Sequence, residues 1–230
     1  MENSNKLQPK KHIVVFSHGF GVQKDDRGLL SSIAEALPEV EPVLFDYFKV
    51  DEIEKTLTTC PFSVQIKKLK QIIAEFRLAN PEAVIDLVCH SQGTIIAALA
   101  RPEGIRKVIL LAPSFDLGLE RTLARYQFNP EVVINLEGIS KLPALDGLTR
   151  IVPAQYWQER REVKPFSEYN ALAEKTEVVA IEASQDEIQP KVDLKELSPK
   201  IKLISLAGNH GFSEPARKPL IDFIRELLLD

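Results

Sequence analysis

Short, mostly apolar runs alternate along the chain with segments whose apolar residues recur every three or four positions. The short runs are rich in β-branched residues and predict strands, whereas the longer segments have the period of a helix with one buried face. Strands that are apolar on both faces are typical of a parallel sheet covered by helices. The sequence therefore predicts an α/β fold with a mostly parallel sheet of about six strands flanked by helices. The runs lie at residues 13–16, 42–45, 83–88, 108–111, 178–181 and 201–204.

The alternation is interrupted between the strand that ends near Ala112 and the strand that begins near Val178. The intervening stretch is rich in proline and aromatic residues, shows no clear strand run, and contains two segments typical of short helices. So long a stretch is not expected to be a plain loop in a compact domain. We therefore predict one domain over residues 1–230, with residues 115–176 as a cap insertion over the C-terminal edge of the sheet.

Composition narrows the class of protein. A formal net charge of -4 and a pI near 5.7 argue against a surface for nucleic acid or anionic membranes, since both are bound by clustered cations. Two cysteines, Cys60 and Cys89, are too few for a disulfide framework. No apolar stretch has the length of a signal peptide or of a membrane span. We expect a cytoplasmic protein, and the sequence leaves its oligomeric state open.

The strongest chemical signal is Val-Cys-His-Ser-Gln-Gly at residues 88–93, between a buried strand and an apolar helix. A sharp turn between strand and helix projects a serine oxygen and places the positive end of the helix beneath it. Small residues two before and two after the serine let the chains pass closely. Gly93 has this property, and Cys89 stands where a glycine is usual. Ser91 is therefore a candidate nucleophile; the alternative is that it only caps the helix.

A second signal is His-Gly-Phe-Gly at residues 18–21, directly after the first predicted strand. Acyl transfer needs two backbone N–H groups aimed at the developing oxyanion. The N–H groups of Phe20 and of Gln92, the residue after Ser91, are the candidates. A plain glycine-rich turn is the alternative.

The candidate base is His210, in a glycine-flanked loop after the last predicted strand. From this loop an imidazole can reach a serine at the start of the apolar helix, although an isolated histidine can also be purely structural. Three carboxylates compete to orient it. Asp186 is favoured, because it lies just after the penultimate strand, and with His210 third after Ser91 and an acid the order Ser, Asp, His fits a hydrolase. Asp116 is second, and Asp46 is expected to hold its own loop.

These motifs resemble the α/β-hydrolase superfamily over nearly the whole chain, from Ile13 to the C-terminal helix. The first strand is similar to the third strand of larger members, so their two preceding strands are expected to be absent. The superfamily's usual Asp-x-x-Gly-x-Gly is replaced by Asp-Tyr-Phe-Lys at residues 46–49, and no particular substrate is implied. The residues that carry the resemblance are residues 18–21, Ser91 with Gly93, Asp186 and His210.

Residues and resemblance together predict a serine hydrolase that cleaves an ester-type acyl bond of a small molecule through an acyl-enzyme. Ser91 attacks, His210 takes its proton, and Asp186 orients the imidazole; no cofactor is required. No histidines stand at the spacing of metal ligands, so no metal is expected.

In the predicted cap, Tyr156 and Trp157 are candidate substrate contacts, since aromatic residues commonly line ligand pockets. Thioesterase, peptidase, acyltransferase or C–C hydrolase chemistry on the same triad remains open, as does a non-catalytic binding protein with this fold.

Overall fold

The computed structural model describes residues 10–126, 128–144 and 146–229. Among its helices, none is long and apolar enough to cross a membrane. The strands are β1 (His12–Ser17), β2 (Glu41–Leu44), β3 (Lys49–Asp51), β4 (Thr56–Thr58), β5 (Val84–His90), β6 (Lys107–Leu111), β7 (Ile139–Pro143), β8 (Thr149–Pro153), β9 (Glu177–Ala183) and β10 (Ile201–Leu206). The α-helices are α1 (Leu29–Glu35), α2 (Phe62–Ala79), α3 (Gln92–Ala100), α4 (Leu119–Tyr126), α5 (Ala154–Glu162), α6 (Pro165–Ala173) and α7 (Arg217–Leu229).

Six strands form the main sheet, in the order β10-β9-β6-β5-β1-β2. Every neighbouring pair in it is parallel. The predicted α/β class and the predicted mostly parallel sheet of about six strands are confirmed. Because the strands are parallel, the loops that follow β1, β5, β6, β9 and β10 meet at one edge of the sheet, where open α/β folds bind their ligands.

Both faces of this sheet are covered, which explains why its strands lack a polar face. Ile13 and Val15 pack on one face, with residues of α2, α3 and α6. Val14 and Phe16 pack on the other, with residues of α1 and α7. Successive side chains of a strand point to opposite faces, so burial of both faces selects apolar residues at every position.

A second sheet, in the order β3-β4-β8-β7, was not predicted. Its strands β7 and β8 form an antiparallel hairpin within residues 115–176, where the sequence shows no clear apolar strand run and two segments typical of short helices. The segment contains this hairpin and three helices, α4, α5 and α6, which is one helix more than predicted. Buried and less buried positions alternate along both strands, and two buried residues, Ser140 and Arg150, are polar. No apolar run arises from such a pattern.

Candidate active site

Ser91 lies in the turn that joins β5 to α3. Its φ of 51° and ψ of -120° lie outside the regions that ordinary residues populate, and such a backbone persists only where its surroundings hold it. The Ser91 N–H donates to the carbonyl of Leu111 in β6 at 2.9 Å, and the Ser91 carbonyl accepts from the Thr94 N–H at 3.0 Å. The serine thus stands at the sheet edge in a strained turn anchored on both sides.

Gly93 occupies a position where the first turn of α3 meets the end of β1. A Cβ atom there would lie 2.2 Å from the carbonyl oxygen of Ser17 and 2.8 Å from that of His18. Both atoms belong to the backbone and have little room to move. A glycine two residues after Ser91 is therefore a packing requirement of the turn.

We expect Gly93→Ala to lower the free energy of unfolding by about 1–3 kcal/mol or more, because the added methyl overpacks a backbone contact. Gly211→Ala is the matched control, since a Cβ there meets nothing within 4 Å. Urea unfolding followed by circular dichroism gives both values. Equal unfolding midpoints for the two variants would contradict the close approach at Gly93.

His210 lies between Ser91 and Asp186. Its Nε2 is 2.9 Å from Ser91 Oγ, and its Nδ1 is 2.8 Å from Asp186 Oδ2. The other carboxylate oxygen of Asp186, Oδ1, accepts from the N–H groups of Ile188 and Gln189, each at 2.7 Å. Because a carboxylate accepts, Nδ1 carries the ring proton and Nε2 is left to accept from the serine hydroxyl.

The Asp186 carboxyl is held in its ionised form. Burial by itself raises the pKa of Asp186, but the hydrogen bond and charge of His210 and the two backbone N–H groups outweigh it. The resulting pKa lies below the ordinary value of an aspartate. Asp186 can therefore stabilise a positive charge on the imidazole at neutral pH.

The two competing carboxylates do not contact His210. Asp116 Oδ1 accepts from the N–H of Gly118 at 2.7 Å. Asp46 Oδ1 accepts from the N–H of Lys24, also at 2.7 Å, and so holds the loop after β1 rather than its own. Of the three candidates, the structure brings only Asp186 to the imidazole.

The loop at residues 18–21 is held from two sides by buried charges. Asp26 Oδ2 accepts from the Gly19 N–H at 2.8 Å, and Arg150 donates to the Gly21 carbonyl from Nε at 2.8 Å and from Nη2 at 2.6 Å. Between these anchors, the Phe20 N–H meets no acceptor among the described residues, and neither does that of Gln92. Two N–H donors are thus available beside Ser91.

A cavity of about 490 Å³ opens at Ser91. Residues that follow β1, β5, β6 and β9 form its walls, and the segment 115–176 contributes residues of α4 and α5. The wall is mixed, with aromatic, aliphatic and charged side chains. It includes Phe20, Gln92, Asp116, Leu117, Tyr126, Trp157, Arg160, Glu187, Ile188 and Gln189.

The two aromatic residues predicted to contact substrate differ in position. Trp157 lines the cavity, and its Nε1–H donates to Ser140 Oγ at 3.0 Å. Tyr156 is fully buried and is not part of the wall. Its hydroxyl donates to Gln92 Oε1 and accepts from Arg160 Nη1 at 3.3 Å. Tyr156 instead connects α5 to the residue that follows Ser91.

Three polar residues next to the site were not predicted from the sequence: Asp26, His90 and Arg150. Asp26 is buried, and its Oδ2 lies 2.7 Å from Nδ1 of His90. The signal that could have found them is the presence of ionisable residues within or beside segments that are otherwise buried. Among the described residues, no group of three or more His, Cys, Asp or Glu could hold a metal ion.

No family model and no curated protein matches the sequence. Solved structures do match. Est1E from Butyrivibrio proteoclasticus with bound ferulic acid has 18% identity and a TM-score of 0.69, covering 96% of this chain and 89% of Est1E. The Paleococcus ferrophilus monoacylglycerol lipase has 16% identity and a TM-score of 0.62, covering 94% and 93%. The putative non-heme bromoperoxidase BpoC from Mycobacterium tuberculosis has 15% identity and a TM-score of 0.65, covering 96% and 92%.

These proteins belong to the α/β-hydrolase superfamily, and the chain has the same fold. The predicted fold class is confirmed. At such low identity the likeness extends to the fold, and the chemistry has to be argued from the residues at the edge of the sheet.

Proposed function

We propose that this α/β-hydrolase-fold chain is a serine hydrolase that cleaves an ester-type acyl bond. The observation that carries the proposal is the unbroken line of hydrogen bonds from Asp186 through His210 to Ser91, at 2.8 and 2.9 Å. Ser91 also lies in a strained turn beside a cavity, with two unused N–H donors next to it. A binding protein with this fold needs none of these features, and so they favour an enzyme.

In the proposed reaction, Ser91 Oγ attacks the acyl carbonyl carbon while His210 Nε2 takes the serine proton. Asp186 stabilises the imidazolium that forms. The negatively charged oxygen of the tetrahedral intermediate accepts hydrogen bonds from the N–H groups of Phe20 and Gln92. His210 then gives its proton to the departing alkoxide, and water, activated by the same imidazole, releases the acyl group from Ser91.

A small-molecule acyl substrate suits the cavity, whose volume of about 490 Å³ falls within the usual range of ligand pockets. Two structural neighbours support an ester, since one is Est1E with bound ferulic acid and the other is a monoacylglycerol lipase. We also propose a cytoplasmic location, because both cysteines are free thiols and the cytosol keeps thiols reduced.

We further propose that residues 1–230 act as one domain and that residues 115–176 are its cap. The support is that Trp157 and Arg160 of α5, together with residues of α4, form part of the cavity wall. Arg150 of the same segment also holds the Gly21 carbonyl. A cap placed in this way contributes both to substrate choice and to the shape of the oxyanion loop, which is the loop at residues 18–21.

A fluorophosphonate probe tests the proposed activity. The purified protein is expected to gain the mass of one phosphonyl group, and peptide mapping is expected to locate it on Ser91. Heat-unfolded protein serves as the control for nonspecific reaction. A folded protein that remains unlabelled, and that hydrolyses no ester in a series of acyl chain lengths, would leave only the binding-protein interpretation.

We expect kcat/KM to rise across p-nitrophenyl esters from acetyl to medium chains and then to level off. Each methylene buried in the cavity contributes up to about 0.8 kcal/mol, or roughly fourfold, until the space is filled. Trp157→Ala should shift the plateau to longer chains, because it removes a large side chain from the wall. Tyr156→Phe is the control and should leave the plateau in place, since Tyr156 does not reach the cavity. A flat profile that neither variant alters would show that the cap does not select the acyl chain.

A further inference from the structure

His90 immediately precedes Ser91, and its ring is buried, with 4% of the residue exposed. Both ring nitrogens face oxygen atoms. Nδ1 lies 2.7 Å from Asp26 Oδ2, and Nε2 lies 2.9 Å from the carbonyl oxygen of His210. The side chain therefore joins the loop after β1 to the loop that carries the proposed base.

These contacts determine the protonation of the ring. A carbonyl oxygen only accepts, so Nε2 carries a proton. Asp26 Oδ2 already accepts from the Gly19 N–H at 2.8 Å, and as a carboxylate oxygen it requires a donor at Nδ1 as well. A neutral imidazole has one N–H and cannot satisfy both contacts. His90 satisfies them as an imidazolium paired with ionised Asp26.

The electrostatic surroundings agree with this assignment. Burial by itself lowers the pKa of His90, but the charge and hydrogen bond of Asp26 outweigh this effect, with smaller contributions from the His210 carbonyl and Asp186. The resulting pKa lies above the ordinary value of a histidine. Burial raises the pKa of Asp26, but His90, the Gly19 N–H and His18 lower it below its ordinary value. The His210 ring also faces His90, at a centroid distance of 5.0 Å.

We propose that the Asp26–His90 ion pair is a positioning device that fixes the oxyanion loop, the nucleophile and the base relative to one another. Asp26 holds the N–H of Gly19, next to the proposed oxyanion donor Phe20. The backbone of His90 leads directly into Ser91, and its Nε2–H holds the carbonyl of His210. One buried pair thus connects the three loops that have to keep their geometry during acyl transfer. The catalytic part of this inference rests on the proposed function.

Asp26→Asn tests the positioning role, because the amide keeps the shape of the carboxyl and removes its charge. We expect kcat for ester hydrolysis to fall by about 10²-fold with KM little changed, since small misplacements of reacting groups have effects of that size. Asp86→Asn is the matched control. Asp86 is also buried and lies 2.8 Å from His12 Nε2, but at the opposite end of β5 from Ser91.

Both variants are expected to lower stability, and only Asp26→Asn is expected to lower kcat. If the two variants lose similar stability and both keep the wild-type kcat, the pair is structural and the positioning role is overturned. Fluorophosphonate labelling rates of the same proteins should follow kcat, because the probe needs the same alignment of Ser91 and His210.

Nitrogen-15 NMR of the histidine rings tests the ion pair without any turnover. At about pH 8, where an ordinary imidazole with a pKa of about 6.5 is neutral, His90 should show two protonated nitrogens. In Asp26→Asn it should become a neutral ring with one. A neutral His90 in the wild-type protein overturns the ion pair, including the arrangement with the proton on Asp26. If the protein does not react with the probe, the proposed function fails while the NMR result on the pair still stands.

Discussion

Ser91→Ala is expected to abolish fluorophosphonate labelling and to lower the kcat of ester hydrolysis by about 10³-fold or more. The variant removes the only atom that can form the acyl-enzyme in the proposed reaction, and leaves the rate that binding and the oxyanion donors supply. The fold should survive. Among the described residues, Ser91 Oγ hydrogen-bonds only to His210, and alanine brings the same Cβ into the turn.

Ser114→Ala is the control for this experiment. Ser114 lines the same cavity, but its Oγ is paired with Gln189 Nε2 at 3.3 Å and not with His210. The control variant should retain the label. Full ester hydrolysis by purified Ser91→Ala protein, or a label that disappears in Ser114→Ala instead, would refute Ser91 as the nucleophile.

The sequence was sufficient for the main sheet because its strands are buried on both faces. Burial on two faces produces nearly continuous apolar runs, such as residues 108–111 of β6. The sequence was not sufficient to predict β7 and β8, where two of the buried positions are Ser140 and Arg150. A hydrogen bond or an ion pair offsets the energetic cost of burying these two polar side chains. Such partners cannot be recognised from the pattern of apolar residues in the sequence.

The residues of the candidate site also fall into those that could be proposed from the sequence and those that could not. Ser91, Asp186 and His210 could be proposed because each directly follows a strand, and parallel strands end at one edge. Asp26 and Arg150 do not directly follow a strand of the main sheet, so the order of the strands gives no indication of their partners, which lie 64 and 129 residues away in sequence. Adjacent residues on a helix point about 100° apart. The sequence therefore could not decide whether Tyr156 or Trp157 faces the cavity.

Asp186→Asn is expected to lower kcat by roughly 10³ to 10⁴ by placing the imidazole in the wrong tautomer. The N–H groups of Ile188 and Gln189 hold one oxygen of the side chain at 2.7 Å, so the amide oxygen of asparagine takes that position. The amide nitrogen then faces His210 Nδ1 and donates to it. The ring proton moves to Nε2, which can no longer accept the proton of Ser91.

Substrate binding should persist in Asp186→Asn, because Asp186 is not part of the wall of the cavity at Ser91. The measurement is kcat and KM for one ester, together with the rate of fluorophosphonate labelling. Asp116→Asn is the control, since its carboxylate lies in the cavity wall but accepts from Gly118 rather than from His210. We expect its kcat to fall far less. A larger loss in Asp116→Asn than in Asp186→Asn would transfer the orienting role to Asp116, because the loss would then follow the carboxylate that controls the His210 tautomer during turnover.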